Sequence, residues 1–194
     1  ARLQPQIAAA AQQGLRVMVL AAGKGRIDGE KLPKPLEPLG LCCLSDVLRD
    51  NVTETLNYFR RQGVTLKVIS GDDPRTVANI ARRVDLPGWE NYVDASTLID
   101  DAKLAEAAVR CTIFGRVTPE QKRKLVEALK AAGHSVAMTG DGVNDIPALK
   151  AADCSIAMAG GSDAAKHAAQ LTLLSADFAA MPAIVGEGRR VINN

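Results

Sequence analysis

Two carboxylates, Asp141 and Asp145, stand four residues apart in the run Thr139-Gly140-Asp141-Gly142-Val143-Asn144-Asp145. Oxygen ligands on a tight, glycine-softened turn suit Mg²⁺, a hard cation usually held by one or two carboxylates together with phosphate and water. Asn144 adds a neutral amide that can hydrogen-bond a phosphoryl oxygen. An isolated Asp-Gly is only a turn. Two carboxylates, an amide and two glycines within seven residues point instead to metal and phosphate chemistry. Ser70-Gly71-Asp72 has a related character, because a hydroxyl followed by glycine can turn both O–H and backbone N–H toward one phosphate oxygen. Its plainer reading is the cap of a helix opened by Pro74. A phosphoryl site also needs a fixed cation. Residues 116–124 offer Lys122 and Lys124 near one helix start, and position alone does not choose between them.

These turns need a scaffold that brings strand ends together. Short apolar runs at residues 16–22, 39–44, 65–70, 111–117, 135–139, 155–158 and 171–174 read as strands. Helices are expected over residues 5–13, 50–62, 74–84 and 118–132, with a last one from about residue 178 onward. Pro74 opens one of them and Thr118-Pro119-Glu120-Gln121 carries a capping signal. Strands alternating with helices argue for an α/β fold, a Rossmann-like parallel sheet with helices on both faces. Ligands in such sheets sit at the carboxyl ends of the strands, where both turns fall. Residues 23–38, dense in Gly, Pro and charge, read as a linker holding a domain boundary, the alternative being a long loop inside one domain.

Composition narrows the classes of function. With 24 basic and 22 acidic residues the net charge is +2, which gives no electrostatic footprint for nucleic acid. No stretch approaches the ~20 apolar residues of a membrane-spanning helix. Cys42, Cys43, Cys111 and Cys154 form no Cys-x-x-Cys pair and read as reduced, buried thiols of a cytosolic setting. Gly23-Lys24-Gly25 lacks the spacing of a phosphate-binding loop. His134 and His167 have no partner at ligand spacing, and no Gly-x-Ser-x-Gly elbow is present.

The run from Thr139 to Asp145, continued by Pro147-Ala148-Leu149-Lys150-Ala151-Ala152-Asp153, resembles the hinge signature of P-type (E1-E2) cation-transporting ATPases. Their phosphorylation domain is of the haloacid-dehalogenase class. The resemblance extends in order to Ser70-Gly71-Asp72, to the segment from Arg116 to Lys122, and to Gly186-Glu187-Gly188-Arg189 with Asn193-Asn194. It implies that Asp141 and Asp145 hold or support Mg²⁺, and that Lys122, rather than Lys124, neutralises the phosphoryl group. Ser70 takes a position more often Thr. Asn144 would contact the acyl phosphate, Gly71, Asp72 and Arg116 would face nucleotide and phosphate, and Arg16 resembles an arginine that touches ATP. Asp46 to Arg49 resembles a hinge whose two prolines are missing here.

The resemblance further implies residues 1–37 as the tail of a nucleotide-binding domain and 38–194 as the phosphorylation domain, truncated at its N-terminal side. The family's nucleophile is the Asp of Asp-Lys-Thr-Gly-Thr, and that run occurs nowhere in these 194 residues. The chain therefore reads as a fragment, inactive by itself, from the cytoplasmic face of a multi-pass membrane pump. ATP and Mg²⁺ would be its cofactors, and its partners the nucleotide-binding domain, actuator domain and membrane helices of the same pump. The transported cation would bind elsewhere, although the pattern from Leu36 to Asp46 and around Ser70 leans toward calcium or general cation pumps. The strand carrying the nucleophile lies centrally in that family, so either a gap filled by another segment or chain, or marginal stability, is expected. The alternatives are a soluble phosphatase of the same class, for which no Asp-x-Asp nucleophile is present, and a non-catalytic Mg²⁺- or nucleotide-binding module.

Overall fold

A computed structural model describes residues 3–25, 34–45, 47–49, 51–175 and 177–193. Asp46, Asn194, the predicted helix start at residue 50 and the linker core at 26–33 lie outside the described residues. The chain divides into two compact units, Ala1–Val47 and Leu48–Asn194.

The first unit has α1 (Gln4–Gln12), β1 (Arg16–Gly23) and β2 (Leu36–Leu44). β1 and β2 pair antiparallel, Arg16 opposite Leu44 and Gly23 opposite Leu36, with an irregularity between Leu20 and Ala21. This corrects the boundary expected at 37/38. Leu39 to Leu44 looked like the first strand of the parallel domain, but its hydrogen bonds go back to β1, so the first unit continues to Val47. Cys42 and Cys43 are exposed on this two-stranded ribbon, and Cys111 and Cys154 are half-buried, all as free thiols. The expectation of buried thiols is thereby corrected: a ribbon of two strands has no second layer to cover them.

The second unit runs α2 (Val52–Arg61), β3 (Val68–Ile69), α3 (Pro74–Arg83), β4 (Tyr92–Asp94), α4 (Asp101–Arg110), β5 (Ile113–Gly115), α5 (Pro119–Ala131), β6 (Ala137–Gly140), α6 (Ile146–Ala151), β7 (Cys154–Ala157), α7 (Asp163–Ala168), β8 (Leu171–Thr172) and α8 (Met181–Asn193). β3, β5, β6 and β8 are shorter than their apolar runs, β7 is shifted by one residue, and β4 falls in none of the expected runs. Helix starts follow local chemistry. The Asp73 carboxylate accepts from Arg75 N–H at 3.0 Å and Pro74 takes the first helical position of α3. Thr118 and Gln121 form a reciprocal capping box at α5.

All strand pairs in this unit are parallel, in two sheets of order β3-β5-β4 and β6-β7-β8. Helices cover both faces, as the strand alternation requires. On β5, Ile113 joins the cluster of Val77, Ala78 and Ala81 from α3, while neighbouring Phe114 turns to Leu104, Ala108 and Leu125 of α4 and α5. The second sheet packs Met138 with Val126 and Leu149 on one side, and Ile156 with Met181 and Phe59 on the other. Two helices therefore belong to both sheets. α5 sends Leu125 to the first and Val126 to the second; α2 sends Val52 and Leu56 to the first and Phe59 to the second. Among the described residues no strand joins β3 to β6, each an edge of its own sheet. The two sheets are thus not hydrogen-bonded to one another among the described residues, and α5 and α2 pack against both.

The β5 end is packed to contact against α3. A Cβ on Gly115 would stand 2.5 Å from Pro74 Cα and 2.6 Å from Pro74 Cβ, and backbone cannot rotate aside. Gly115→Ala should destabilise the chain by about 1–3 kcal/mol, the usual cost of overpacking. It should appear as a lower urea midpoint with an unchanged slope; an unchanged midpoint would contradict this packing.

Candidate functional site

Ser70 and Gly71 follow β3; Gly140, the last residue of β6, and Asp141 lie at the corresponding end of the other sheet. A cavity of about 340 Å³ between these carboxyl ends is lined by Ser70, Gly71, Lys122, Gly140, Asp141 and Asp145, among others. The structure thus gathers residues 70, 122, 141 and 145 from three separated stretches of chain.

Lys122 lies in the first turns of α5, oriented by the capping box, and its Nζ donates to Asp145 Oδ1 at 2.6 Å. Both side chains are largely buried, 14% and 10% exposed. Asp145 Oδ2 accepts the N–H groups of Asp141 at 3.2 Å and Gly142 at 3.0 Å. Burial pushes the Asp145 carboxyl upward, but the Lys122 hydrogen bond and these backbone donors outweigh it and hold it below the ordinary carboxylate range. A Cβ on Gly140 would lie 2.6 Å from Asp145 Cβ, so the turn requires glycine there. Lys124, the other candidate, pairs with Asp101 at 2.7 Å, outside the cavity.

Asp141 is exposed, and its carboxylate makes no hydrogen bond or ion pair among the described residues. Its donor type fits Mg²⁺: one free, hard oxygen ligand beside a fixed ammonium, with room for phosphate and water. Among the described residues no three His, Cys, Asp or Glu side chains cluster as a metal cage. Asp145, with both oxygens already accepting hydrogen bonds, steadies the turn that carries Asp141.

Ser70 is pinned through its main chain, donating N–H to Phe114 O at 2.9 Å and accepting from Val117 N–H at 3.0 Å. Its Oγ accepts from Asp72 N–H at 3.1 Å. Asp72, Arg116 and Asn144 do not line the cavity; Asn144 is exposed on the 3-10 turn Val143–Asp145. Arg16 begins β1 in the first unit.

Arg116 instead bridges two carboxylates, Asp73 and Asp94, each at 2.6 Å. Its backbone is left-handed, φ 52°, a conformation that costs a side-chain-bearing residue about 1–2 kcal/mol. The ion pairs and its N–H bond to Asp72 O at 2.8 Å hold it there. Asp73 is held below the usual carboxylate range chiefly by its hydrogen bond with Arg75, and Asp94 chiefly by the Ser96 hydroxyl, with Arg116 adding to both. Sequence reasoning missed Asp94, which lies 22 residues from the arginine it fixes. Nothing local marks it.

Asp153 lies at the opposite, amino ends of the strands. It accepts Val136 N–H at 2.9 Å and pairs with Lys130 at 2.9 Å.

Removing Lys122 leaves the Asp145 carboxylate buried without its cation. Lys122→Met should cost about 3 kcal/mol at pH 7. The folded Asp145 carboxyl is depressed, so the stabilisation is complete above the unfolded value and is lost as pH falls through the folded one. The difference between the two chains in urea should therefore shrink below about pH 4. A difference independent of pH would show that the pair is not what stabilises.

A family model described as haloacid dehalogenase-like hydrolase matches residues 4–153. The chain is 47% identical to the "Probable cation-transporting ATPase exp7" of Streptococcus pneumoniae over 192 residues, 98% of this chain and 25% of that protein. It is 46% identical to the "Calcium-transporting ATPase CtpE" of Mycolicibacterium smegmatis, over 94% of this chain and 23% of the relative. It is 38% identical to the "Calcium-transporting ATPase 1" of Yarrowia lipolytica, over 93% of this chain and 20% of the relative. The chain thus spans a quarter or less of the length of these relatives. No helix among the described residues is long and apolar enough to cross a membrane. With parallel sheets flanked by helices, loops that converge at the strands' carboxyl ends and a family match over most of its length, the chain belongs to the haloacid dehalogenase-like hydrolases.

Proposed function

We propose that this chain forms the phosphorylation site of a P-type pump that couples ATP hydrolysis to cation transport, with calcium or another cation as cargo. One observation carries the reading: Ser70, Lys122, Asp141 and Asp145 line one cavity at the mouth of a gap between two parallel sheets. The names borne by the similar proteins support a cation as the cargo. On this reading the gap receives the strand bearing the nucleophilic aspartate, contributed by another part of the pump. The first unit, Ala1–Val47, is then the tail of a nucleotide-binding domain. The actuator domain and membrane helices are its further partners, and the site works at the cytoplasmic face.

Each residue has a task set by its chemistry. Lys122 keeps one N–H on Asp145 and has two more for oxygens of the transferring phosphoryl group. Ser70 donates its hydroxyl proton to another oxygen, helped by the Gly71 N–H. Mg²⁺, held by Asp141 while Asp145 supports the turn, would supply the remaining positive charge and orient the phosphate. The nucleophilic aspartate takes the phosphoryl group from ATP as an aspartyl phosphate, and water later releases it. Gly71, Asp72, Arg116 and Asn144 serve the phosphate as binding or loop-shaping residues of the second unit, and Arg16 is a nucleotide-contacting residue of the first. Alone, without a nucleophile, the chain turns over no ATP.

The test separates the two ends of the sheet. In a full-length pump carrying this segment, Asp141→Asn should lower phosphoenzyme formation from ATP by roughly 10²-fold or more. Asp153→Asn, which loses only the Val136 and Lys130 contacts, should leave it nearly intact. Equal, mild defects, or full rescue of Asp141→Asn at ordinary Mg²⁺, would contradict the assignment.

A further inference from the structure

The carbonyl of Asp141 accepts a short hydrogen bond, 2.7 Å, from the N–H of Ser162. Ser162 ends the loop that leaves β7 and caps α7, its hydroxyl accepting from Ala165 N–H at 3.2 Å. The loop closes on itself through Gly161 N–H to Met158 O at 2.9 Å. Between them Gly161 lies flat against the Asp141 backbone. A Cβ there would stand 2.6 Å from Asp141 O, 2.9 Å from Asp141 Cα and 3.0 Å from Met158 O. All three are main-chain atoms, so no side chain can yield; either the loop or Asp141 must move. Gly160, its neighbour, would meet nothing within 4 Å.

We propose that Gly161 and the Ser162 amide are positioning residues for Asp141: they fix its backbone from the second turn of the same sheet edge and so aim its carboxylate. Asp145 holds the Asp141 N–H from one side and Ser162 holds its carbonyl from the other. Asp141 itself is exposed and its carboxylate has no side-chain partner among the described residues. What its main chain fixes is therefore the starting point and Cα–Cβ direction from which that carboxylate reaches into the cavity. Groups that orient a metal ligand without touching the metal typically change affinity by about 10–100-fold when lost. The inference rests on Asp141 as the Mg²⁺-holding side chain, deepening that reading by naming what places it.

The experiment is a Mg²⁺ titration of the 194-residue chain followed by NMR at the Asp141 carbonyl carbon, with hydrogen exchange of the residue-162 amide measured without metal. Gly161→Ala should shift the Asp141 carbonyl, expose the residue-162 amide to exchange and weaken Mg²⁺ by about tenfold or more. Gly160→Ala should do none of this. Ser162→Ala should lower the thermal midpoint through its lost cap, yet keep amide protection and Mg²⁺ affinity. Should Gly161→Ala not fold, Ser162→Pro carries the test. Ser162 has φ −64°, already proline-like, so Pro removes the cap and the donor whereas Ala removes the cap alone. Weaker Mg²⁺ in Pro but not in Ala supports the proposal. A native Asp141 carbonyl and protected residue-162 amide in Gly161→Ala, equal losses in Gly160→Ala, or equal Mg²⁺ affinity in Ser162→Pro and Ser162→Ala would overturn it. A wild-type chain in which Mg²⁺ does not move Asp141 would contradict the metal reading; amide exchange and the Asp141 carbonyl would still decide whether Gly161 positions it.

Discussion

The ion pair between Lys122 and Asp145 is the contact on which the site depends. It joins positions 23 residues apart, from the first turns of α5 to the turn after β6. Taking two charges out of water is costly unless geometry and extra hydrogen bonds compensate. Here they do, since Asp145 accepts the ammonium on one oxygen and two backbone N–H groups on the other. Three consequences follow. Lys122 is fixed beside the cavity instead of extending into solvent. Gly140 can carry no side chain. Asp141, whose N–H is one of the two donors, is held by its backbone while its carboxylate stays available.

That arrangement would have little use on a scaffold that collapsed. Two three-stranded parallel sheets stand with β3 and β6 unpaired to one another among the described residues, yet the sheets share α5 on one face and α2 on the other. Buried side chains such as Phe114, Ile113 and Leu125 each contribute roughly 1.5–3 kcal/mol to the core around the first sheet. The cavity borders the gap at the carboxyl ends, where parallel sheets bind ligands. An entering strand would find its edge hydrogen-bond partners and the charged groups already in place.

Much of this was legible in sequence because it is local. Pro74 after Asp73, the Thr118-Gln121 box and the apolar runs marked helix starts and strands, and two glycines with two carboxylates marked the turn. Long-range pairing was not legible. Leu36 to Leu44 carries no sign that it folds back on Arg16 to Gly23 rather than entering the parallel sheet, and the domain boundary moved with it. The choice between Lys122 and Lys124, two residues apart, became physical only when one met Asp145 and the other Asp101. The Asp73–Arg116–Asp94 bridge spans 43 and 22 residues, so no periodicity announces it. Gly161 was invisible for the same reason: its role lies in what a side chain there would strike.

If the cavity between β3 and β6 serves phosphoryl transfer onto an aspartate, with Lys122 as its fixed cation, the intact protein must form an aspartyl phosphate that depends on Lys122. The most direct measurement is covalent labelling of a full-length protein carrying this segment by γ-labelled ATP with Mg²⁺, followed by hydroxylamine treatment. An acid-stable, hydroxylamine-labile label is expected, and it should disappear in Lys122→Met while the variant remains folded. Label that resists hydroxylamine, or that forms equally well without Lys122, would contradict it.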